Sequence, residues 1–399
     1  MSNPINYVGF TQNSKIICTG HKNGYMFCNT SDILENSVSY NEEENVSLPE
    51  THLKNCIIVE RFFSTSLLVV VTQQDPRVVT IYNSLIKKII CSLHFEKSVL
   101  AVRLNVKRMA ICLEDAIYIY DIGKIRQTHK IVQSTIDRSG IFDLAALSGN
   151  ATIAYPGSTK IGSIHLFDAM NLTSVNTISA HENPIACMKF NQDGTMIATA
   201  STKGTVIRVF SVPNGKRIFE FRRGVSRCVN IHSLCFSPDS KLLASSSNTE
   251  TLHVFKLEKP EDNTIVDAGD TWGGWYSSIN NAISAYIPGA QIMGDFMTIE
   301  RSFAIARLPG SSESNQVALI SHKNEKFLMA VTSDGYVYAY RLNNDGGELE
   351  LVKQHRIGHK LEIVKGPTTS PSGISKIIKN NAEQHKDLLD LPPTTHSSG

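Results

Sequence analysis

The sequence predicts an all-β fold, a seven-bladed β-propeller, on three observations: strand-like runs of one kind, their even spacing, and a constant order of turns between them. The runs are short, alternate in polarity and are rich in Val, Ile, Tyr and Phe, while convincing amphipathic helices are scarce. Taking the last aromatic residue of each run as a ruler marks Phe27, then Tyr82 in VVTIYN, Tyr120 in AIYIYDI, Phe167 in SIHLFDA, Phe210 in TVIRVFSV, Phe255 in TLHVFKL and Tyr340 in YVYAYRL. The gaps are 55, 38, 47, 43, 45 and 85 residues. Seven units with a period near 40–45 residues fit blades of four strands.

The fifth and sixth units show the order of elements best. PIACMKFNQDGTMIATASTKGTVIRVFSV aligns with IHSLCFSPDSKLLASSSNTETLHVFKL, each reading strand, Asp-containing turn, small-residue strand, polar turn, strand. The Trp-Asp dipeptide of the commonest propeller repeat is missing throughout, so the repeats are degenerate relatives of the WD type. The final gap is twice a repeat and places an insertion at residues 259–300. The propeller is expected over 1–358, and the polar, Pro/Ser/Thr-containing stretch 359–399 reads as a disordered tail.

Composition narrows the function. Of 399 residues, 41% are hydrophobic and 19% charged, the profile of a soluble globular chain. Lys+Arg exceed Asp+Glu by 39 to 37, which leaves no global charge to hold nucleic acid, so attraction to phosphate has to be local. No run approaches the roughly 20 apolar residues that span a bilayer, and the N-terminus lacks a signal region, so a membrane would be met from the cytosolic side. The eight cysteines are scattered with no CxxC pair, which suits reduced thiols and no metal or other cofactor. Phosphate loops, nucleophile elbows, zinc-protease motifs and dinucleotide fingerprints are missing as well, so no enzyme is expected.

Local basic charge peaks at Lys216, Arg217, Arg222, Arg223 and Arg227, at the junction of the fifth and sixth units. In an extended segment consecutive side chains point to opposite sides, so Arg222 and Arg223 can serve two pockets, and a guanidinium fork suits phosphate oxygens. A solvated basic edge is the other reading. Around the pair lie His181, Ser201, Lys203 and Thr205, and in the next unit His232, Ser247, Thr249 and Thr251. These could donate to a phosphorylated ring, or they could be ordinary strand and turn residues. The insertion carries Trp272, Trp275, Tyr276, Ile279, Ile283 and Tyr286, with Ile279, Ile283 and Ile287 spaced by four. Such a segment either enters a membrane–water boundary or packs back on the propeller.

FRRG at 221–224, IAYPGS at 153–158, ATASTKGTVIRVFS, ASSSNTETLHVFKLE and RSFAIARLP at 301–309 together resemble the PROPPIN family over about residues 5–355. SSNTET and VKQHRI look closer to its autophagy-related WD-repeat phosphoinositide-interacting branch. The resemblance implies a non-enzymatic effector that binds phosphatidylinositol 3-phosphate and phosphatidylinositol 3,5-bisphosphate on forming autophagosome and endosomal membranes. Arg222 would act with His181, Ser201, Lys203 and Thr205, and Arg223 with His232, Ser247 and Thr251, while the insertion would dip into the bilayer. Thr249-Glu250 replaces a frequent Lys-Gly and makes the second pocket less positive. The resemblance also implies a partner groove on blades two and three for the autophagy conjugation complex, or else a lipid-transfer protein as the recruited partner; Lys107, Arg108, Lys124 and Arg126 lie in that region and either meet an acidic helix or peptide or form a solvated basic face. The alternative is a protein-interaction scaffold without lipid binding, its basic rim reading phosphopeptides.

Overall fold

The computed structural model describes residues 5–37, 53–133, 137–147, 149, 151–224, 228–258 and 301–357. Seven consecutive sheets follow one another along the chain. Blade one is β1 (Ile5–Phe10), β2 (Ile16–His21) and β3 (Gly24–Asn29), followed by the helix α1 (Thr30–Glu35). Blade two is β4 (Cys56–Arg61), β5 (Leu67–Thr72), β6 (Val78–Asn83) and β7 (Lys88–His94); blade three is β8 (Ala101–Leu104), β9 (Arg108–Cys112), β10 (Ala116–Asp121) and β11 (Arg126–Val132). Blade four is β12 (Asp143–Leu144), β13 (Thr152–Pro156), β14 (Gly162–Asp168) and β15 (Thr173–His181); blade five is β16 (Ile185–Phe190), β17 (Met196–Ser201), β18 (Val206–Ser211) and β19 (Arg217–Arg222). Blade six is β20 (Ile231–Phe236), β21 (Leu242–Ser247), β22 (Thr251–Lys256) and β23 (Ala304–Arg307), and blade seven is β24 (Asn315–His322), β25 (Glu325–Thr332), β26 (Tyr336–Leu342) and, after the two-residue β27 (Gly347–Glu348), β28 (Glu350–Arg356).

The seven ruler aromatics all stand on the third strand of their blade. They pair across the ladder with Cys18, Leu68, Met109, Ile153, Ile197, Leu243 and Leu328 of the second strands. Second strands such as β5, LLVVVT, are buried almost throughout because neighbouring blades cover both faces, whereas the outermost β7 alternates between exposed and half-buried residues. Apolar clusters fill the spaces between blades; one joins Ile58, Val69 and Ile81 of blade two to Val102, Met109 and Ile111 of blade three.

Two blades depart from four strands. Blade one has three among the described residues, and blade six gains β27, which reaches across from blade seven to run parallel to β23. The insertion falls between β22 and β23. Antiparallel order within each blade puts the turns joining strands one to two and three to four at one end of the propeller. At the other end are the turns joining strands two to three and the connections to the next blade.

Inner strands line a central cavity of about 410 Å³. Polar groups cross it from blade to blade. Tyr7 Oη donates to Glu60 Oε1 at 3.0 Å, Arg103 Nη1 donates to the same oxygen at 3.1 Å, Arg103 Nε lies 3.6 Å from Asp143 Oδ1, and Lys189 Nζ is 3.1 Å from that oxygen. Five blades are tied in sequence by this chain.

Candidate functional site

β19 delivers the two arginines. Arg222 pairs with Val206 of β18, and the Arg223 N–H donates to the Thr205 carbonyl at 3.0 Å, so extended pairing runs through both residues. Arg223 turns to blade six, where Nη2 donates to Ser247 Oγ at 2.9 Å and to Thr249 Oγ1. Arg222 is exposed and makes no side-chain hydrogen bond or ion pair among the described residues. Of the rest of the basic cluster, Arg217 is ion-paired, since Glu220 Oε2 accepts from Arg208 Nε at 2.7 Å and from Arg217 Nη1 at 2.8 Å, while Lys216 is exposed. Arg227 lies outside the described residues.

The turn facing Arg222 is fixed by a glycine. Gly204 has φ +64°, its N–H donates to the Ser201 carbonyl at 2.9 Å, and a Cβ there would stand 1.9 Å from the Val229 carbonyl oxygen. The chain leaving the arginines is therefore seated against this turn, with Val229 N–H donating to the Lys203 carbonyl at 3.3 Å. Lys203 is exposed, while Ser201 and Thr205 are buried.

His181 ends β15 and ties blade four to blade five through a 2.9 Å bond from its Nε2 to Thr199 Oγ1. Burial, helped by the nearby Arg208 charge, lowers its pKa to about 4.

His232 and Thr251 do not occupy the places that aligning the two units suggested. His232 lies on the inner strand β20, lines the central cavity and interacts with Asn315 of blade seven; it is not the counterpart of His181. The imidazole whose environment Arg223 influences is His253 on β22, with Nδ1 2.7 Å from Ser302 Oγ and its pKa lowered to about 4 by burial and by the Arg223 charge. Ladder pairs Thr199↔Arg208 in blade five and Ser245↔His253 in blade six make His253 the structural equivalent of Arg208. Counting along those ladders sets Thr251 opposite Ser247, where blade five has Val206, because the blade-six turn is one residue shorter. Aligning the units on their third strands instead of their turns would have found both Arg208 and His253.

Arg108 is also placed differently from the expectation of a partner-facing charge. Its Nε donates to the Ala169 carbonyl at 2.9 Å and its Nη1 to Asp121 Oδ2 at 3.2 Å, and only 11% of the side chain is exposed. It is a tie between blades three and four, and Lys107, Lys124 and Arg126 are the exposed charges of that region. Trp272, Trp275, Tyr276, Ile279, Ile283 and Tyr286 lie outside the described residues, as does 359–399.

Burial lowers the imidazoles of His21, His232 and His355 as well, and the two lowered furthest, His181 and His253, make stability depend on pH. Each titrates near 4 in the fold against an ordinary 6.5, so the unfolded chain takes up the proton first as pH falls. Their contribution is full above about pH 6.5 and is lost progressively towards pH 4. The Tm is expected to fall across that window in a thermal-shift titration, and His253→Leu is expected to flatten part of the slope. An unchanged slope would remove His253 from this role.

A model of the PROPPIN family matches residues 5–358. The chain belongs to the PROPPIN family. This PROPPIN is 56% identical to Autophagy-related protein 18 of Caenorhabditis elegans, over 99% of the chain and 97% of the relative. It is 38% identical to WD repeat domain phosphoinositide-interacting protein 2 of Mus musculus, over 92% of the chain and 80% of the relative. Among solved structures it is similar in fold to Kluyveromyces lactis Hsv2, with TM-score 0.65 and 20% identity over 89% of this chain and all of that one. It is also similar to KlAtg21 in complex with the coiled coil of AgAtg16, with TM-score 0.66 and 23% identity over 88% and 99%. PROPPIN membership makes it an effector rather than an enzyme. Among the described residues no helix is long and apolar enough to cross a membrane.

Proposed function

We propose that this PROPPIN binds 3-phosphorylated phosphoinositides at the blade-five and blade-six rim and recruits autophagy machinery to the membranes that carry them. The observation that carries this reading is the division of Arg222 and Arg223 between two blades, with Arg223 already held on Ser247 and Thr249. The first headgroup would meet Arg222, Lys203 and the hydroxyls of Ser201 and Thr205; the second would meet Arg223 and the blade-six hydroxyls, among them Thr251. Phosphatidylinositol 3-phosphate and phosphatidylinositol 3,5-bisphosphate are the ligands of this reading, and the lipid leaves unchanged. The 259–300 segment would supply an apolar anchor, so that three weak contacts on one molecule act as one strong one. Vesicle flotation across the phosphoinositides tests this. Wild-type protein floats with 3-phosphorylated lipids and not with phosphatidylcholine alone, and Trp272→Ala with Trp275→Ala weakens flotation. Equal flotation on all vesicles would defeat the reading.

The recruited partner would meet blade three at the opposite end, where Lys107, Lys124 and Arg126 are exposed. The similarity to KlAtg21, seen with a coiled coil of AgAtg16, favours a helical partner with an acidic face. Lys124→Glu with Arg126→Glu is expected to abolish its capture in a pull-down while vesicle binding stays at the wild-type level. Capture that survives would place the partner elsewhere. Arg108 is left intact because its change would disturb the tie between blades.

A further inference from the structure

Building on the phosphoinositide reading, we propose that the turn joining β13 to β14 in blade four is an additional bilayer contact. In it, Ile161 enters the boundary between headgroups and acyl chains, and Lys160 faces anionic headgroups.

Ile161 is 56% exposed and Lys160 beside it is exposed too. Neither sits on a loose loop. Ser158 Oγ accepts from the N–H groups of Lys160 (3.1 Å) and Ile161 (3.3 Å), and the Ile161 carbonyl accepts from Ser163 N–H at 3.0 Å. Gly162 then pairs with His181, so closely that a Cβ on Gly162 would stand 2.5 Å from the Asn183 carbonyl oxygen and 2.6 Å from His181 Cβ. The turn is thus seated on the connection that leaves His181, and His181 is bonded to Thr199 on the strand leading into the Lys203 turn. Ile161, Lys203 and Arg222 follow one another along the same end of blades four and five.

The distribution of exposed apolar side chains singles this turn out. Leu85, Ile86, Val106, Leu147 and Leu172 lie in turns at the opposite end, Ile90 and Val175 on the outer strands of blades two and four, and Val132 at the end of the outer strand of blade three. Among the described residues Ile161 is the exposed large apolar side chain in a turn next to the candidate site. An aliphatic side chain adds nothing to recognition of a phosphate, but next to a lysine at a rigid tip it suits the bilayer surface, where the apolar group is buried and the ammonium stays among headgroups.

The test compares full-length wild type with Lys160→Glu plus Ile161→Ser. The probes are vesicles of phosphatidylcholine, phosphatidylserine and phosphatidylinositol 3-phosphate, and soluble inositol 1,3-bisphosphate. Vesicle affinity is expected to fall about tenfold with headgroup affinity unchanged. Wild-type vesicle affinity would overturn the contact and leave the turn for a protein partner; a parallel loss of headgroup affinity would overturn it too, making Lys160 a headgroup ligand. An environment-sensitive dye on Ile161→Cys in a Cys228→Ser background is expected to shift to the blue on vesicles, and unshifted emission from bound protein would overturn the proposal. Retention of vesicle binding by Arg222→Thr with Arg223→Thr would defeat the phosphoinositide reading instead, and the dye on bound protein would still decide the turn.

Discussion

Vesicles carrying phosphatidylinositol 3-phosphate are expected to float without protein when Arg222→Thr and Arg223→Thr are combined, while the fold stays intact. A hydrogen bond to a charged group contributes about 1.5–3 kcal/mol, so each arginine removed weakens its pocket by roughly ten- to a hundredfold. The two proposed pockets would share one edge, and losing either would turn the other into an isolated weak contact, so the combined loss is expected to be at least about a hundredfold. The fold tolerates the change for reasons visible at each position. Arg222 is exposed at the end of β19 and its backbone pairing with Val206 does not need the side chain, so its replacement changes stability by about 0.5 kcal/mol or less. Arg223→Thr loses two bonds to the hydroxyls of Ser247 and Thr249, which still bond each other at 2.9 Å, a cost of about 1 kcal/mol. Circular dichroism and Tm serve as the control, and flotation of the folded double variant at the wild-type level would refute the assignment.

The fold was legible because the aromatic ruler reports a packing environment that recurs. Each of those side chains stands on a third strand, opposite the same region of a second strand, and therefore recurs at the blade period even where turn sequences have drifted. Pairing is less visible. The place of Thr251, and with it the equivalence of His253 to Arg208, depends on one residue in the blade-six turn, and turn length is fixed only once Ser245 is seen opposite His253. Arg108 reads as one more member of a basic run beside Lys107, and only the fold brings Asp121 and the Ala169 carbonyl to its guanidinium. The central chain of charges was equally hidden. Glu60, Arg103, Asp143 and Lys189 stand one on each inner strand of blades two to five, and nothing local says that successive blades bring them together. Their signal was a charge inside an apolar inner strand, where an unpaired ion would be costly.

Asp143→Ala is expected to lower the Tm by roughly 5 °C without changing headgroup binding. Asp143 is 3% exposed in its side chain, and β12 is only two residues long, so the inner strand of blade four depends on what this carboxylate holds. Oδ1 faces Lys189 Nζ and Arg103 Nε, and Oδ2 accepts from the Phe190 N–H at 2.8 Å. Removing it strands Lys189, leaves Arg103 with Glu60 alone, and deprives the buried Phe190 N–H of its acceptor. Breaking a fully buried pair costs about 3–5 kcal/mol, but Arg103 and Lys189 keep 35% and 41% of their side chains exposed, so solvent lowers the figure to about 2–4 kcal/mol. Asp143→Asn keeps an acceptor for Phe190 and should lose less, which separates the hydrogen bond from the charge. Because the carboxylate is shielded, the difference in Tm between wild type and Asp143→Ala should persist in high salt, where a surface pair would be screened. A wild-type Tm for Asp143→Ala would mean that apolar packing between blades holds the ring together and that the chain of charges adds nothing to its stability.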